Sequence, residues 1–440
     1  MSELRIYAVT GRPVLHSLSP RIFNSWFRAA GMNAVYTRLA AGSAEEAVRT
    51  ARAMKLAGIS ITSPYKERIM CLLDGADVHA SKVGAANCVV PRGNRLWGYN
   101  TDFLGAVHAL TKNGIDPKNK NVAILGAGGA ARAAAYGLRR SRAARVTFLN
   151  RTEGNAKKAS IRLGCDYAPQ EHAEDVIRQS DILISCVSSR PALGSAYPLK
   201  KELVVLQADY RDSLLKKGKG HQKYTLIQGL DWLIAQAVPA FHLFTGRKLS
   251  SRLEKMVRAL DLFERPADKA NIALVGFMGS GKTTIGRLLS EKMGWDFVDT
   301  DSEIEKLSEM TAPEIFKKRG EPFFREKEKS LIRTLVSDSR KKIFSLGGGA
   351  ILDEETRSLL ARRCQVIWLW ASLEVALARI DPSSRPVLHS ADGERAAQRA
   401  FRARSQACAR ISDLVLNTET APPEDLAGRI QYEMDQTFED

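Results

Sequence analysis

Residues 272 to 284 read IALVGFMGSGKTT, an apolar and β-branched run that breaks into Gly276-x4-Gly281-Lys282-Thr283 and then a helix-forming stretch. A buried strand, a glycine turn and a helix start in that order form a P-loop, in which backbone N–H groups and a helix N-terminus face phosphate. A second glycine turn, GAGGAA from Gly126, follows another strand pattern, NVAIL. Two different nucleotide sites in one chain imply two chemistries.

The flanking segments predict the fold class. After the P-loop strand the chain alternates TIGRLLSEKM, FVDTD, a helical stretch over 303–338, KIFSL, ETRSLLARR, QVIWLW and LEVALARI. Strands alternating with helices at this spacing predict a parallel sheet with crossover helices, an α/β fold. Before it, RIYAVTG, AVYTRLA, GISITS and GAANCVV alternate with helices, and NVAILGAGGAARAAAYGLRR with RVTFLN begins a dinucleotide-binding βαβ unit. GLDWLIAQAVPAFHLFTG and the next helix are expected to pack back on the opening unit. KLSSRLEKMVRALDLFE predicts an amphipathic helix, and RPADKAN, with Pro266, a linker. The expected domains are therefore 1–104 plus 237–262, a Rossmann lobe over 105–236, a linker at 263–270 and a P-loop domain over 271–440.

With 440 residues the chain suits two to three domains. No apolar run approaches the roughly 18 to 20 residues that span a bilayer, and the N-terminus lacks the pattern of a signal peptide. A cytoplasmic enzyme without membrane association is expected. Six scattered cysteines carry no metal or redox spacing, so they are expected to be reduced. The net charge of +17 is spread over both halves without a base-stacking aromatic pattern. This favours anionic small molecules over nucleic acid as partners.

At the first site, Gly126, Gly128 and Ala131 take the positions for the tight turn, the approach to pyrophosphate and the helix–strand contact, within the run Gly126, Ala127, Gly128, Gly129, Ala130, Ala131. The next strand ends in Asn150-Arg151-Thr152, where an NAD-binding chain carries an acidic residue for the ribose 2′-OH. Arginine there suits a 2′-phosphate, hence NADP(H). Upstream, HSLSP carries Ser17 and Ser19, which can both bond one carboxylate, and Lys66 with Asp102 can form an acid/base pair that moves a hydroxyl proton. Ser-Pro dipeptides also mark turns, and Asn-Thr-Asp is also an ordinary helix N-cap.

Residues 5 to about 262 resemble shikimate dehydrogenases through several ordered motifs. The family's HSxSP serines map onto Ser17 and Ser19, its NVTxPxK onto SITSPYK with Thr62 and Lys66, and its GAVNT onto GAANC with Asn87. Its GxNTD maps onto GYNTD with Asp102, and its GLxMLxxQA onto GLDWLIAQA with Gly229 and Gln236. The resemblance implies that Ser17 and Ser19 bind the substrate carboxylate, that Lys66 and Asp102 move the proton, and that Thr62, Asn87 and Gln236 contact substrate. It also places Gly229 at the cofactor. The chain departs from the family at Ser63 and at Asn155, where Lys157 or Lys158 stands nearby as a replacement. A degenerate ADYRDSLL leaves Tyr210 as the counterpart of a tyrosine near the nicotinamide.

At the second site, Gly276, Gly279, Ser280, Gly281, Lys282, Thr283 and Thr284 form the phosphate loop, with Thr283 a ligand for Mg²⁺. Asp299 and Asp301 place two carboxylates beside it, one for magnesium and one for an acceptor hydroxyl. Arg325, Arg385 and Arg404 suit carboxylate or phosphate, and Gly347, Gly348 and Gly349 allow close approach of a ligand. Together they resemble shikimate kinase over residues 270 to about 435. That resemblance implies Asp299 acting through magnesium, Asp301 on the substrate hydroxyls, Arg325 and Arg404 on its carboxylate, Arg385 on a lid and Arg379 near adenine. Cys408 replaces a usual tyrosine.

Shikimate is the product of the first family and the substrate of the second. The two resemblances imply reduction of 3-dehydroshikimate with NADPH, then phosphorylation of shikimate with ATP and Mg²⁺. Quinate differs by one hydroxyl and is an alternative for the first site. A ligand sensor built from the same folds would lose catalytic positions, and Lys66, Asp102, Lys282, Asp299 and Asp301 are all present.

Overall fold

The structure is a computed structural model that describes residues 3–187, 199–210, 224–260, 262, 269–337, 340–380 and 391–438. Its strands, in chain order, are Arg5–Thr10 (β1), Ala34–Leu39 (β2), Gly58–Ile61 (β3), Gly75–Ala76 (β4), Cys88–Arg92 (β5), Arg95–Tyr99 (β6), Asn121–Leu125 (β7), Arg145–Leu149 (β8) and Asp166–Ala168 (β9). They continue with Ile182–Ser185 (β10), Val204–Gln207 (β11), Thr225–Ile227 (β12), Asn271–Val275 (β13), Asp296–Asp299 (β14), Lys342–Ser345 (β15), Cys364–Trp370 (β16) and Leu414–Asn417 (β17). By compactness the chain forms two units. One comprises Met1–Pro20, Ala30–Leu56 and Asp261–Asp440, the other Arg21–Ala29 and Ala57–Leu260.

In the second of these units, β12-β11-β10-β7-β8-β9 form a parallel sheet. Side chains alternate between its faces, and both faces are covered, which is why the strands read as continuous apolar runs. Val122, Ile124, Phe148, Ile184 and Leu206 pack with Ala131, Ala134, Ala135 and Leu138 of the helix Gly129–Arg140. Ala123, Leu125, Leu149, Leu183 and Val205 pack with Ala173 and Ile177. In the same unit β5 pairs antiparallel with β3 and β6.

Two helices of this unit, Asp102–Lys112 and Gly229–Thr245, cross at Gly105. A Cβ there would lie 2.7 Å from Gln236 Cβ and 2.8 Å from Trp232 Cδ1, so only glycine lets the helices meet this closely. The expected amphipathic helix is Ser251–Arg258, capped by Ser250. Residues 263–268 of the expected linker lie outside the described residues.

In the other unit the strand order runs β14-β15-β13-β16-β17-β2-β1, parallel throughout. The joint is β17 on β2, with Leu39 opposite Val415 and Ala40 N–H donating to Val415 O at 2.9 Å. Glu46, on the helix Ala44–Ala53, receives Arg429 Nη1 at 2.6 Å, Thr420 Oγ1 at 2.9 Å and Gly42 N–H at 3.0 Å. The Glu46 and Arg429 side chains are only 7% and 11% exposed. Asn417 Nδ2 donates to Thr50 Oγ1 at 3.0 Å in the same seam. Among the described residues no helix is long and apolar enough to cross a membrane.

Removing one partner of a buried ion pair leaves the other charge uncompensated, which costs about 3–5 kcal/mol. Arg429→Ala should destabilise the unit built on the β2–β17 seam by that amount in urea denaturation. A loss of under about 1 kcal/mol, the worth of an exposed pair, would show that the pair does not hold the seam.

Candidate functional sites

In the unit of the six-stranded sheet, Lys66 and Asp102 meet. Lys66 Nζ donates to Asp102 Oδ2 at 2.6 Å, with the two side chains 17% and 7% exposed. Asp102 opens its helix, and its other oxygen, Oδ1, accepts Asn87 Nδ2 at 3.0 Å. That amide also donates to Thr101 Oγ1 at 2.8 Å and Gln236 Oε1 at 3.0 Å, while Asn87 Oδ1 accepts Thr101 N–H at 2.7 Å. Asn87 is thereby a hub joining Asp102 to Gln236. Thr62 starts the turn that delivers Lys66, its carbonyl accepting Tyr65 N–H at 3.0 Å.

The dinucleotide turn comes to the same place. Gly126, at the end of β7, has φ +104°, a region open to glycine. A Cβ on Gly129 would lie 3.0 Å from Lys66 Cβ, so this turn runs directly beside the lysine. Ala127, Gly128, Ala130 and Ala131 continue it into the helix, with Ala131 fully buried against the sheet. Asn150, Arg151 and Thr152 follow β8. Arg151 is exposed, and Asn150 Nδ2 donates to Thr152 O at 2.8 Å. A glycine turn at a strand end with an exposed arginine just beyond the neighbouring strand fits a dinucleotide carrying a 2′-phosphate. Gly229 lies against the backbone of Asp209, and Tyr210 follows it half-buried.

Two further residues shape this site, Trp232 within GLDWLIAQA and Arg132 just after the glycine turn. Trp232 Nε1 donates to Asp102 O at 3.0 Å, fixing the start of the aspartate's helix. Arg132 pairs with Glu67 at 2.6 Å, tying the nucleotide helix to the residue after Lys66. Ser17 and Ser19 belong to the other unit, where both are buried and Ser17 Oγ accepts Ser19 N–H at 3.4 Å.

That unit also carries the phosphate loop. Gly279 has φ +73° and a Cβ there would strike Ala376 O, so any side chain meets both strain and a clash. Gly281 precedes the helix Lys282–Met293, whose first turn carries Thr283 and Thr284. Lys282 Nζ donates to the carbonyls of Gly276 and Phe277, both at 3.1 Å, so the ammonium curls over the loop it serves. Burial lowers its pKa from the ordinary lysine value, and the Asp301 carboxylate opposes that shift. Thr283 Oγ1 donates to Asp299 Oδ2 at 2.8 Å, which sets side by side two oxygens of the hard type that Mg²⁺ takes.

Asp301 follows on the helix Thr300–Ser308, capped by Asp299 Oδ1. Burial, and next the Asp299 charge, raise the Asp301 pKa above the ordinary aspartate value, and its Oδ1 has no hydrogen-bond partner among the described residues. The glycine triplet explains the crowding here. A Cβ on Gly347 would strike Asp301 Oδ1 and Glu328 Oε1, one on Gly349 the Arg325 guanidinium, and one on Gly348 would lie 3.1 Å from Arg404 Nη1. The triplet thus collects Asp301, Arg325 and Arg404 around one patch of bare backbone.

Glu328 is the residue that motif reading passed over. It is 1% exposed, Arg325 Nη1 donates to its Oε2 at 2.7 Å, and its Oε1 has no partner among the described residues. The available signal was its i,i+3 spacing from Arg325 on one helix face. Arg404 stacks over Phe277 at 5.2 Å. Arg379 donates to Thr418 Oγ1 and O at 2.9 and 2.8 Å at the end of β17. Cys408 is fully buried, and burial pushes its thiol up to about 12, so it packs as a neutral side chain. Arg385 lies outside the described residues.

Comparison with known proteins follows the same division along the chain. Family models match at 9–89 (shikimate dehydrogenase substrate binding domain), 109–202 (shikimate / quinate 5-dehydrogenase) and 278–435 (shikimate kinase). A shikimate dehydrogenase (NADP(+)) of Aquifex aeolicus is 33% identical over 267 residues, covering 59% of this chain and 98% of the relative. The crystal structure of shikimate dehydrogenase from that organism superimposes with a TM-score of 0.54 at 32% identity, over 58% of this chain and 98% of that one. A shikimate kinase of Bacillus pumilus is 47% identical over 129 residues, 29% of this chain and 70% of the relative.

Because the Asp301 pKa is raised, folding favours its protonated form. That stability is complete below the unfolded carboxyl pKa and is lost as pH rises through the folded one. Asp301→Asn should therefore melt at or above the parent at pH 7 to 8 in ligand-free protein. The gap should close as pH falls towards the unfolded carboxyl pKa, while phosphorylation falls by about 10²-fold or more. A melting difference that does not change with pH would contradict the raised pKa.

Proposed function

Because the chain belongs to the shikimate dehydrogenase family through its first part and to the shikimate kinase family through residues 278–435, we propose that it carries out two consecutive steps: NADPH-dependent reduction of 3-dehydroshikimate, and phosphorylation of the resulting shikimate by ATP with Mg²⁺. The observation that carries the first step is the 2.6 Å Lys66–Asp102 pair beside the dinucleotide turn. NADPH provides the hydride. Lys66 Nζ gives a proton to the oxygen that becomes the new hydroxyl, and Asp102 keeps the Lys66 side chain aimed. Asn87 and Gln236, joined at 3.0 Å, order the hydroxyl end of the substrate, and Ser17 and Ser19 take its carboxylate.

For the second step, ATP with magnesium provides the phosphoryl group. Gly276 to Thr284 and Lys282 hold the phosphates, and Thr283 with Asp299 holds the metal. Asp301 accepts the hydrogen bond of the attacking hydroxyl, and its raised pKa suits a group that takes a proton during transfer. Arg325 and Arg404 bind the carboxylate in two-pronged fashion, with Glu328 setting the Arg325 fork. Positioning and charge neutralisation account for nearly all of such a reaction, since the protein makes no covalent bond in it. Small-molecule anions as substrates also account for the +17 net charge.

Supplying 3-dehydroshikimate, NADPH, ATP and Mg²⁺ to the whole chain should oxidise NADPH and yield shikimate 3-phosphate. Lys66→Ala should lower only the reduction, by about 10²–10⁴-fold, leaving phosphorylation of added shikimate at the parent rate. Lys282→Ala should do the reverse. No NADPH oxidation by the parent protein would remove the first assignment, and no shikimate-dependent ADP release would remove the second.

A further inference from the structure

The kinase-family part of the chain reaches back to the loop that carries Ser17 and Ser19, and all of these contacts lie within one compact unit. Glu433, on the helix Pro423–Phe438, is 1% exposed, and its Oε2 accepts the backbone N–H groups of both Val14 and Leu15 at 2.8 Å. Two successive N–H groups aimed at one carboxylate oxygen fix the direction of the backbone between them, and such charge-assisted bonds are the strong ones. Val14 O then accepts Ser17 N–H at 2.9 Å, so the hold passes directly to the serine.

A second tie comes from Arg38 on β2. Its Nε and Nη2 donate to Ser17 O at 3.0 and 2.7 Å, while its Nη1 donates to Asp413 O at 3.2 Å. Asp413 is anchored in turn, its Oδ2 accepting Val366 N–H at 2.9 Å and pairing with Lys269. Thr37 Oγ1 adds a bond to Ser412 O at 3.1 Å. The serine loop is therefore held from two sides, directly by Glu433 and, through Arg38, by Asp413, and both acids follow the P-loop by more than a hundred positions.

We infer that Glu433 and Arg38 are positioning residues for the reduction step: the kinase-family region, through Glu433 and Asp413, holds the Ser17/Ser19 loop in the geometry that receives the substrate carboxylate. This rests on the reading of Ser17 and Ser19 as carboxylate ligands. The phosphorylation site does not use either residue, so the effect falls on the other reaction and on one of its two substrates.

The test is steady-state kinetics on the full chain. Glu433→Ala should raise KM for 3-dehydroshikimate by about ten- to a hundredfold, the scale of a small misplacement of a binding group, with KM for NADPH unchanged. Phosphorylation of added shikimate in the same preparation should keep its parent kcat and KM, which shows that the unit is folded. Glu433→Gln, which retains an acceptor oxygen, should recover most of the loss, and Arg38→Lys should raise the same KM. Parent KM for 3-dehydroshikimate in Glu433→Ala with intact phosphorylation overturns the inference. Should Glu433→Ala lose both activities, Arg38→Lys decides by the same criterion. Ser17→Ala separates the two levels: an unchanged KM there overturns the serine reading itself, whereas a raised KM beside a silent Glu433→Ala overturns only the positioning role.

Discussion

The seam between β2 and β17 is the constraint on which the arrangement of one whole unit depends. A strand at the edge of a sheet presents a row of unpaired N–H and C=O groups, which must be paired, covered or left to water. Here the edge of the sheet that carries the phosphate loop is paired by the opening strands of the chain, with Ala40 N–H on Val415 O. One backbone pairing of this kind is weak in net terms, about 0.5–1.5 kcal/mol per bond. Direction is supplied by the groups around it: the Glu46–Arg429 pair, Asn417 on Thr50 and Glu433 on two successive N–H groups. Buried polar groups are costly unless satisfied, and these satisfy one another only in this register.

The same rule runs the other way at the phosphate-transfer site. Asp301 and Glu328 are carboxylates held where burial raises the pKa of both, each with an oxygen that has no partner among the described residues. A core would not tolerate that arrangement without compensation, whereas a site awaiting the hydroxyls of a polar ligand requires it. The glycine triplet is what makes the arrangement possible, because any side chain at 347, 348 or 349 would occupy the space into which those acids and the two arginines project. Polar groups with unmet bonds, gathered on bare backbone, form a recognition surface in which the ligand completes the hydrogen bonding.

The parts of this structure legible in the sequence are those where local chemistry dictates local geometry. The glycine turns at Gly126 and Gly276, the strands before them and the helices after them follow from residue types at fixed spacing, as does the pairing of Lys66 with Asp102 once the ordered motifs are seen together. The strand Leu414–Asn417 was not legible in that way, being four residues long and preceded by a helix rich in arginine and alanine. Glu328 reads as one more acid on a charged helix, and Trp232 as one more apolar residue on a buried one. For Glu328 the helical spacing from Arg325 gives the 2.7 Å partner but not the burial that makes the pair matter, whereas the 3.0 Å bond of Trp232 to Asp102 O crosses between helices and no periodicity encodes it.

Glu433 shows why such residues escape a reading by motif. Its segment, QYEMD, carries no signature, and an acid on a C-terminal helix is ordinarily solvated. Its burial at 1% exposure removes that explanation, and its two backbone donors lie more than four hundred positions earlier in the chain. The carboxylate satisfies the buried N–H groups of Val14 and Leu15, which an apolar side chain of the same size would leave without an acceptor. What the carboxylate adds over an apolar residue is direction. It accepts two N–H groups at once, and that sets the path of the backbone that leads to Ser17.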